Sequence, residues 1–178
     1  SASGCSSKAS VRPAKAPSCL VPVFAISWRI VMGPRGSHER TAAGKQHSMQ
    51  INLFCIGDVV GRPGRFVVAQ ALPLLVKQHD IHCVIANVEN AAGGFGVTHE
   101  ICDELLDAGI DCMTSGNHIW DKKEILGVVD LIPQLLRPLN YPARQPGRGS
   151  HVGKGKRSKV PVATLNLSGR AFMNGAMA

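Results

Sequence analysis

Residues 50–65, QINLFCIGDVVGRPGR, hold the pattern that decides the fold. Gln50–Ile56 is a short apolar run typical of a buried strand, and the turn-forming pair Gly57 and Asp58 follows it. A helical spacing of apolar residues then runs from Arg65 to Gln78. Because a strand that passes through a short turn into a helix is half of a βαβ unit, this stretch predicts a parallel α/β sheet.

The alternation continues along the chain and predicts a mostly parallel sheet that is covered on both faces. Thr98 is a plausible N-cap for the second helix, and Gly109 is placed to end it. The predicted elements are strands at His82–Val88, Asp111–Thr114, Gln134–Pro138 and Val160–Leu167, helices at Thr98–Ala108 and Asp121–Asp130, and a loop or hairpin at Pro142–Lys159.

The flanks differ from this middle region in charge. The formal net charge of +8 divides into +6 over residues 1–48, −5 over 49–142 and +7 over 143–178. Residues 1–48 are rich in Ser, Ala, Gly, Pro and basic residues, so we predict a disordered basic extension, followed by a domain over 49–178. An alternative for the extension is a targeting segment, but Pro22 and Arg29 interrupt its apolar run.

Composition narrows the function classes. No run of 18 apolar residues is present, which argues against an integral membrane protein. Only eight aromatic residues occur, so the core does not support a nucleic-acid module built on stacked aromatics, although the basic flanks leave nucleic-acid binding open. The six cysteines form no CxxC pair and read as buried thiols, which favours a reducing, cytoplasmic location.

Polar residues follow three consecutive predicted strands. Asp58 follows the first, Glu89 and Asn90 the second, and Asn117 and His118 the third. Each alone is typical of a turn, a helix cap or a structural histidine. In an open α/β sheet, however, the carboxyl ends of the strands meet at one edge, where ligands bind. Carboxylate and amide oxygens there predict a site for one or two divalent cations, with His118 available to the substrate.

Other chemistries fit less well. GDVVGRPG at 57–64 lacks the Gly-Lys-Ser/Thr ending of a phosphate-binding P-loop, and AAGGFG at 91–96 does not match the dinucleotide fingerprint. A Gly-x-Ser-x-Gly nucleophile turn is absent from the sequence.

Five ordered motifs make a family resemblance specific. The sequence over 49–173 resembles the N-terminal half of the bacterial YmdB-like metallophosphoesterases, a branch of the calcineurin-like superfamily. The motifs are IGDVVGRPGR (56–65), NVENAAGGFGVT (87–98), SGNHIWDKKEI (115–125), LRPLNYP (136–142) and LNLSGRAF (165–172).

The resemblance implies a calcineurin-like αββα sandwich and a dinuclear centre of iron or manganese that hydrolyses phosphodiesters, including cyclic nucleotides. Carried over by position, Asp58 binds one metal, Glu89 bridges both, Asn90 completes the first site and Asn117 binds the second. His118 would be the catalytic acid that protonates the leaving alkoxide.

The match also implies an incomplete centre. The family takes further histidine ligands from His-Ala-Glu and Gly-Thr-His-Thr-His segments, and neither occurs in these 178 residues. We therefore expect a truncated fold. Two hypotheses follow: a metal-dependent phosphodiesterase, or a catalytically silent fragment that binds a nucleotide or a partner.

Overall fold

The computed structural model describes the backbone of residues 25–32 and residues 49–169, with side chains described from Gln50 onward. The elements in chain order are β1 (Ala25–Met32), β2 (Met49–Asp58), α1 (Gly61–His79), β3 (Cys83–Asn87), α2 (His99–Asp107), β4 (Cys112–Thr114), two 3₁₀ turns (Lys123–Gly127 and Val129–Leu131), β5 (Leu135–Leu136), β6 (Ser150–Lys154) and β7 (Pro161–Leu165).

A five-stranded sheet in the order β1-β2-β3-β4-β5 forms the centre of the described structure. Strands β2 to β5 are mutually parallel, and β1 pairs with β2 in the antiparallel direction. The predicted α/β class with a mostly parallel sheet is therefore confirmed.

The parallel strands end in register with one another. Asp58 lies opposite Asn87, Asn87 opposite Thr114, and Thr114 opposite Leu136. The residues that follow these strands consequently emerge along one edge of the sheet, which we call the carboxyl edge.

The expectation of a disordered segment over residues 1–48 is wrong for Ala25–Met32, which form β1. All eight residues pair with β2, and Arg29, which interrupts the apolar run, lies opposite Asn52. Pairing with a neighbouring strand is a long-range interaction that a scan of local composition does not detect. Residues 1–24 and 33–48 lie outside the described residues, so the domain boundary near Met49 stays a prediction.

Two other elements differ from their predicted form. The helix predicted at Asp121–Asp130 is instead two short 3₁₀ turns, separated at Val128, where the backbone leaves helical geometry (φ −128°, ψ −10°). The predicted strand at Val160–Leu167 is shorter and pairs with β6 in a separate antiparallel hairpin, not with the parallel sheet. The segment 142–159, predicted as a loop or hairpin, contains one strand, β6, and the second strand of its hairpin lies beyond that segment.

Both helices contribute to the core on one face of the sheet. Val68 and Leu72 of α1 and Cys102 and Leu105 of α2 are buried with alternate residues of the strands, among which Val84, Ala86 and Met113 are fully enclosed. The Thr98 side chain accepts a hydrogen bond from Ile101 N, so the predicted N-cap is confirmed.

The opposite face is less completely covered within the described residues. Its residues Leu53, Cys55 and Ile85 are half-buried, and the β6–β7 hairpin lies beside Cys83 and Cys112. Among the described helices, none has the length and apolar character that crossing a bilayer requires.

Candidate metal centre

The structure brings all five predicted site residues to the carboxyl edge. Asp58 ends β2, Glu89 and Asn90 follow β3, and Asn117 and His118 follow β4. The aligned strand ends explain this convergence, since three crossover connections place three loops side by side.

Asn90 is held by both its backbone and its side chain. Its Nδ2 donates to Asp58 Oδ2 at 2.7 Å, and its carbonyl accepts from Gly61 N and Gly94 N at 2.9 and 3.1 Å. Because a carboxylate accepts hydrogen bonds, the contact with Asp58 orients the amide and leaves Oδ1 as the free acceptor. Asn90 Oδ1 is buried and has no hydrogen-bond partner among the described residues.

Glu89 is held on the other side of the same loop. Its Oε2 accepts from His118 N at 3.0 Å, and its own N donates to Asn87 Oδ1 at 3.2 Å. Gly116 packs directly against the carboxylate: a Cβ at this position would lie 2.6 Å from Glu89 Oε2. Any side chain at Gly116 would therefore displace the carboxylate, which gives this glycine a steric role in the site.

His118 contacts two residues that the sequence analysis did not single out. Its Nδ1 lies 2.7 Å from Asp121 Oδ2, and its ring lies against Phe95 with a centroid separation of 5.1 Å. A carboxylate at Nδ1 keeps a proton on that nitrogen and orients the ring, so Nε2 is left for proton exchange with another group. The i to i+3 spacing of His118 and Asp121 was a signal that could have identified the pair.

Asn117 is the least constrained of the five. It is exposed, and its side chain makes no hydrogen bond to any of residues 50–169. The structure brings it to the edge, and within residues 50–169 no hydrogen bond joins its side chain to Asp58, Glu89 or Asn90.

A buried asparagine from the last described segment supports the β4 loop. Asn166 Nδ2 donates to Ser115 O at 2.6 Å and to Leu136 O at 3.0 Å, and Ser115 Oγ donates to the same Leu136 carbonyl at 2.7 Å. These bonds secure the loop that carries Asn117 and His118 to the end of β5. Sequence reasoning missed this role, although Asn166 belongs to one of the quoted motifs.

The donor set suits a hard divalent cation. Two carboxylates and two amides offer only oxygen ligands, and Asn90 Oδ1 is a buried acceptor with nothing to accept from. Among the described residues, no three His, Cys, Asp or Glu side chains cluster as a metal site by themselves. The residues present therefore fit part of a cation site and rely on amide oxygens to do so.

The site also carries negative charge. Burial, with the nearby negative charge of Glu89 as a second cause, raises the pKa of the Tyr141 hydroxyl. Tyr141 belongs to the LRPLNYP motif, which thus lies near the Glu89 carboxylate. An uncompensated carboxylate of this kind favours binding of a cation.

Comparison with known proteins identifies the family of the chain. The model of the family described as "YmdB-like protein" matches residues 54–178. A 2′,3′-cyclic-nucleotide 2′-phosphodiesterase of Bacillus subtilis is 43% identical over 123 residues, which are 69% of this chain and 46% of that protein. The chain thus spans about half the length of this relative.

Two solved structures are similar in fold. A Thermus thermophilus protein of 35% identity has a TM-score of 0.61 and aligns over 68% of this chain and 46% of its own. A phosphatase from Mycoplasma pneumoniae of 33% identity has a TM-score of 0.59, with coverages of 66% and 42%. With its motifs in order and its strand-end residues brought to one edge, the chain belongs to the YmdB-like protein family.

Proposed function

We propose that the chain supplies one part of a metal-dependent phosphodiesterase site that hydrolyses phosphodiesters such as cyclic nucleotides. The observation that carries the proposal is the bonded set at the carboxyl edge, in which Asp58 orients Asn90 and leaves Asn90 Oδ1 buried and unpartnered. The large majority of buried side-chain polar atoms have a hydrogen-bond partner, so a buried amide oxygen beside two carboxylates is available to a ligand.

Asp58, Glu89, Asn90 and Asn117 are the residues that would hold two divalent metal ions, iron or manganese, with Glu89 shared between them. When bound, such cations offset the charge of the phosphate and activate water for attack on phosphorus. The protein's own contribution is to fix the oxygen donors: the Asp58–Asn90 bond, the His118 N–Glu89 bond and the packing of Gly116 restrict how the site can relax.

His118 is the acid of the proposed reaction. It would donate a proton from Nε2 to the leaving ester oxygen, while Asp121 holds the proton on Nδ1 and orients the ring. The hydrogen bond from His118 N to Glu89 ties the position of this acid to that of the metal ligand.

The substrate class is supported by the Bacillus subtilis relative, whose name specifies a 2′,3′-cyclic nucleotide. In such a diester the leaving group is an alkoxide of ribose, which is a poor leaving group without protonation. A site that pairs an oriented histidine with an anionic metal-binding edge meets that requirement.

Metal binding to the 178-residue chain is the first test. Titration with Mn²⁺, followed by calorimetry or by electron paramagnetic resonance of the free ion, should detect binding, and Glu89→Gln should weaken it more than any other single change. Glu100→Gln, an exposed glutamate at the start of α2, is the matched control and should leave the affinity unchanged. Equal affinity in the unmodified chain and in Glu89→Gln would remove Glu89 from the metal set.

Turnover is tested in a hybrid, because the chain spans about half the length of the Bacillus subtilis relative. Residues 54–169 would replace the matching half of that protein, and hydrolysis of 2′,3′-cyclic AMP would be measured with Mn²⁺ and after chelation. We expect Mn²⁺-dependent turnover. A folded hybrid that binds the nucleotide but does not hydrolyse it would support the silent binding fragment instead.

A further inference from the structure

Phe95 is an exposed aromatic residue at the carboxyl edge. Its side chain is 59% exposed, and its ring is tilted by 60° against the His118 ring at 5.1 Å between centroids. Phe66 on α1 is similarly exposed at 65%, but it has no ring contact with a site residue among the described residues. A single exposed phenylalanine is ordinary, whereas one that leans on the proposed catalytic acid is placed to meet a substrate.

The loop that carries Phe95 is fixed at its base. Gly93, Gly94 and Gly96 have positive φ values of 73°, 106° and 77°, which produce a tight reversal between β3 and α2. Ala92 N donates to Gly96 O at 2.9 Å and so closes the turn. Gly96 packs against Lys122. A Cβ at position 96 would lie 2.7 Å from Lys122 Cγ, so a side chain there would collide with Lys122.

The same loop begins with the proposed metal ligands. Glu89 and Asn90 open it, and Gly94 N donates to the Asn90 carbonyl at 3.1 Å. The backbone beside Phe95 is therefore tied to Asn90, and the Phe95 ring contacts His118. An exposed ring on an anchored loop loses little conformational freedom when a planar ligand group stacks on it.

We propose, resting on the phosphodiesterase function argued above, that Phe95 stacks on the nucleobase of the substrate and selects nucleoside cyclic phosphates over diesters without a base. In a 2′,3′-cyclic nucleotide one ribose ring separates the base from the phosphate. With the ester oxygen at His118, the base falls beside the residue that already contacts His118. Base–aromatic stacking is tolerant of base identity, so purine and pyrimidine nucleotides should both be accepted, with the larger purines bound more tightly.

The test measures binding in EDTA, so that no turnover occurs and metal does not contribute. The probes are 2′,3′-cyclic AMP and glycerol 1,2-cyclic phosphate, which share the five-membered cyclic diester and differ in the nucleoside. Ligand-observed proton NMR on the intact 178-residue chain should show upfield ring-current shifts of the adenine H2 and H8 signals. It should also show an affinity for the nucleotide about tenfold higher than for the glycerol diester.

Variants separate stacking from general structure. Phe95→Ala should abolish the upfield shifts and weaken nucleotide binding about tenfold, with no change for the glycerol diester. Phe95→Trp should restore both, and Phe66→Ala should behave like the unmodified chain. Equal affinity for the two probes, unchanged shifts in Phe95→Ala, or no detectable nucleotide binding would each overturn the proposal.

The two proposals fail in distinguishable ways. If the hybrid hydrolyses 2′,3′-cyclic AMP while Phe95→Ala binds it normally, the phosphodiesterase site stands and the stacking role is wrong. If the ring-current shifts depend on Phe95 while the hybrid shows no Mn²⁺-dependent turnover, nucleotide binding stands and catalysis does not.

Discussion

At the amino end of the parallel strands Asp111 accepts three hydrogen bonds, from Val84 N, Lys156 N and Arg157 Nη2 at 2.8, 2.9 and 2.6 Å. At the carboxyl end, the Asp58 carboxylate accepts one hydrogen bond from residues 50–169, and the Glu89 carboxylate also accepts one. Both ends carry carboxylates beside a strand. The protein supplies three hydrogen-bond donors to the carboxylate at the amino end, whereas each carboxylate at the carboxyl end receives only one from the described residues. Saturation stabilises a fold, whereas open acceptors stay available to a ligand.

The histidines repeat this contrast. His82, at the amino end, accepts a hydrogen bond from Asn52 N at its Nδ1 and donates its own N to the Asn52 carbonyl. His118, at the carboxyl end, uses Nδ1 for Asp121, and its Nε2 has no hydrogen-bond partner among the described residues. The difference lies in the partner of Nδ1: a backbone N–H of β2 makes the His82 ring part of the structure, whereas a carboxylate at Nδ1 of His118 orients that ring for proton exchange at Nε2.

The largest effect is expected from a substitution at the carboxyl edge. His118→Ala in the hybrid should lower turnover of 2′,3′-cyclic AMP by roughly 10² to 10⁴, the usual scale for losing a general acid. Metal content should stay near normal, because His118 is assigned to proton transfer. Steady-state kinetics and metal analysis measure the two quantities.

His82→Ala is the matched control for that change. It should leave turnover within about threefold of the unmodified hybrid and lower the urea midpoint, since it removes a hydrogen-bond acceptor from the backbone of β2. A larger loss of turnover in His82→Ala than in His118→Ala would contradict the structural role given to His82 and the catalytic role given to His118.

A substitution of Asp111, at the amino end of the strands, should affect stability more than metal binding. Asp111→Asn removes the negative charge that faces Arg157, and Asp111 is only 6% exposed. We expect the free energy of unfolding to fall by about 2–3 kcal/mol, measured by urea denaturation, because the guanidinium loses a charge-assisted partner. Mn²⁺ affinity should not change.

Asp58→Asn, at the carboxyl edge, should affect metal binding more than stability. It should weaken Mn²⁺ binding and shift the free energy of unfolding by no more than about 0.5 kcal/mol, as expected for an exposed position. Substantial unfolding in Asp58→Asn with normal Mn²⁺ affinity would mark Asp58 as structural.

A smaller effect is expected from a substitution of Asn166, which contributes both to stability and to the position of the loop that carries His118. Asn166→Asp replaces the amide nitrogen that donates to Ser115 O and Leu136 O by an oxygen. The loop that carries His118 should loosen, with turnover in the hybrid reduced about tenfold and stability reduced by about 1–2 kcal/mol. Asn140→Asp, at an exposed position that bonds Ser168, should leave turnover unchanged.

The smallest effect concerns the thiols on the sheet. Burial raises the pKa of Cys83 to about 12, with the Asp111 charge adding to it, and burial raises the pKa of Cys112 to about 11. Between their ordinary pKa and these values the unfolded chain is deprotonated while the folded chain keeps its protons. The stabilising contribution is therefore complete below about pH 9 and is lost as pH rises towards 12.

Two measurements check that sign. The urea midpoint should fall between pH 8 and pH 10, and the fall should be smaller in Cys83→Ala. Iodoacetamide at pH 8 should leave Cys83 and Cys112 unlabelled in the native chain and label both in guanidinium, as resolved by peptide mass spectrometry. Rapid native labelling of Cys83 would show that this part of the sheet opens readily.

Much of the fold could be predicted because its signals are local. The run at Gln50–Ile56 and the Thr98 cap with its Gly109 stop depend on neighbouring residues, so their periodicity and turn chemistry identified them. The strand at Ala25–Met32 could not be found in this way, since it is defined by pairing with β2. The helix predicted at Asp121–Asp130 is two 3₁₀ turns instead, because the form of so short a segment depends more on tertiary packing than on its own helical propensity.

The sequence by itself determined the order of strands and helices and the identity of Asp58, Glu89, Asn90, Asn117 and His118 as strand-end polar residues. That was enough to predict a common edge, because parallel strands must all end on the same side. Tertiary structure alone decided which of them touch. It paired Asn90 with Asp58 and His118 with Glu89, brought Phe95 to the histidine ring, and set Asn166 beneath the β4 loop. The physical reason is that a hydrogen bond needs a defined distance and direction between two groups, and residues about 30 positions apart acquire these only when the sheet register is formed.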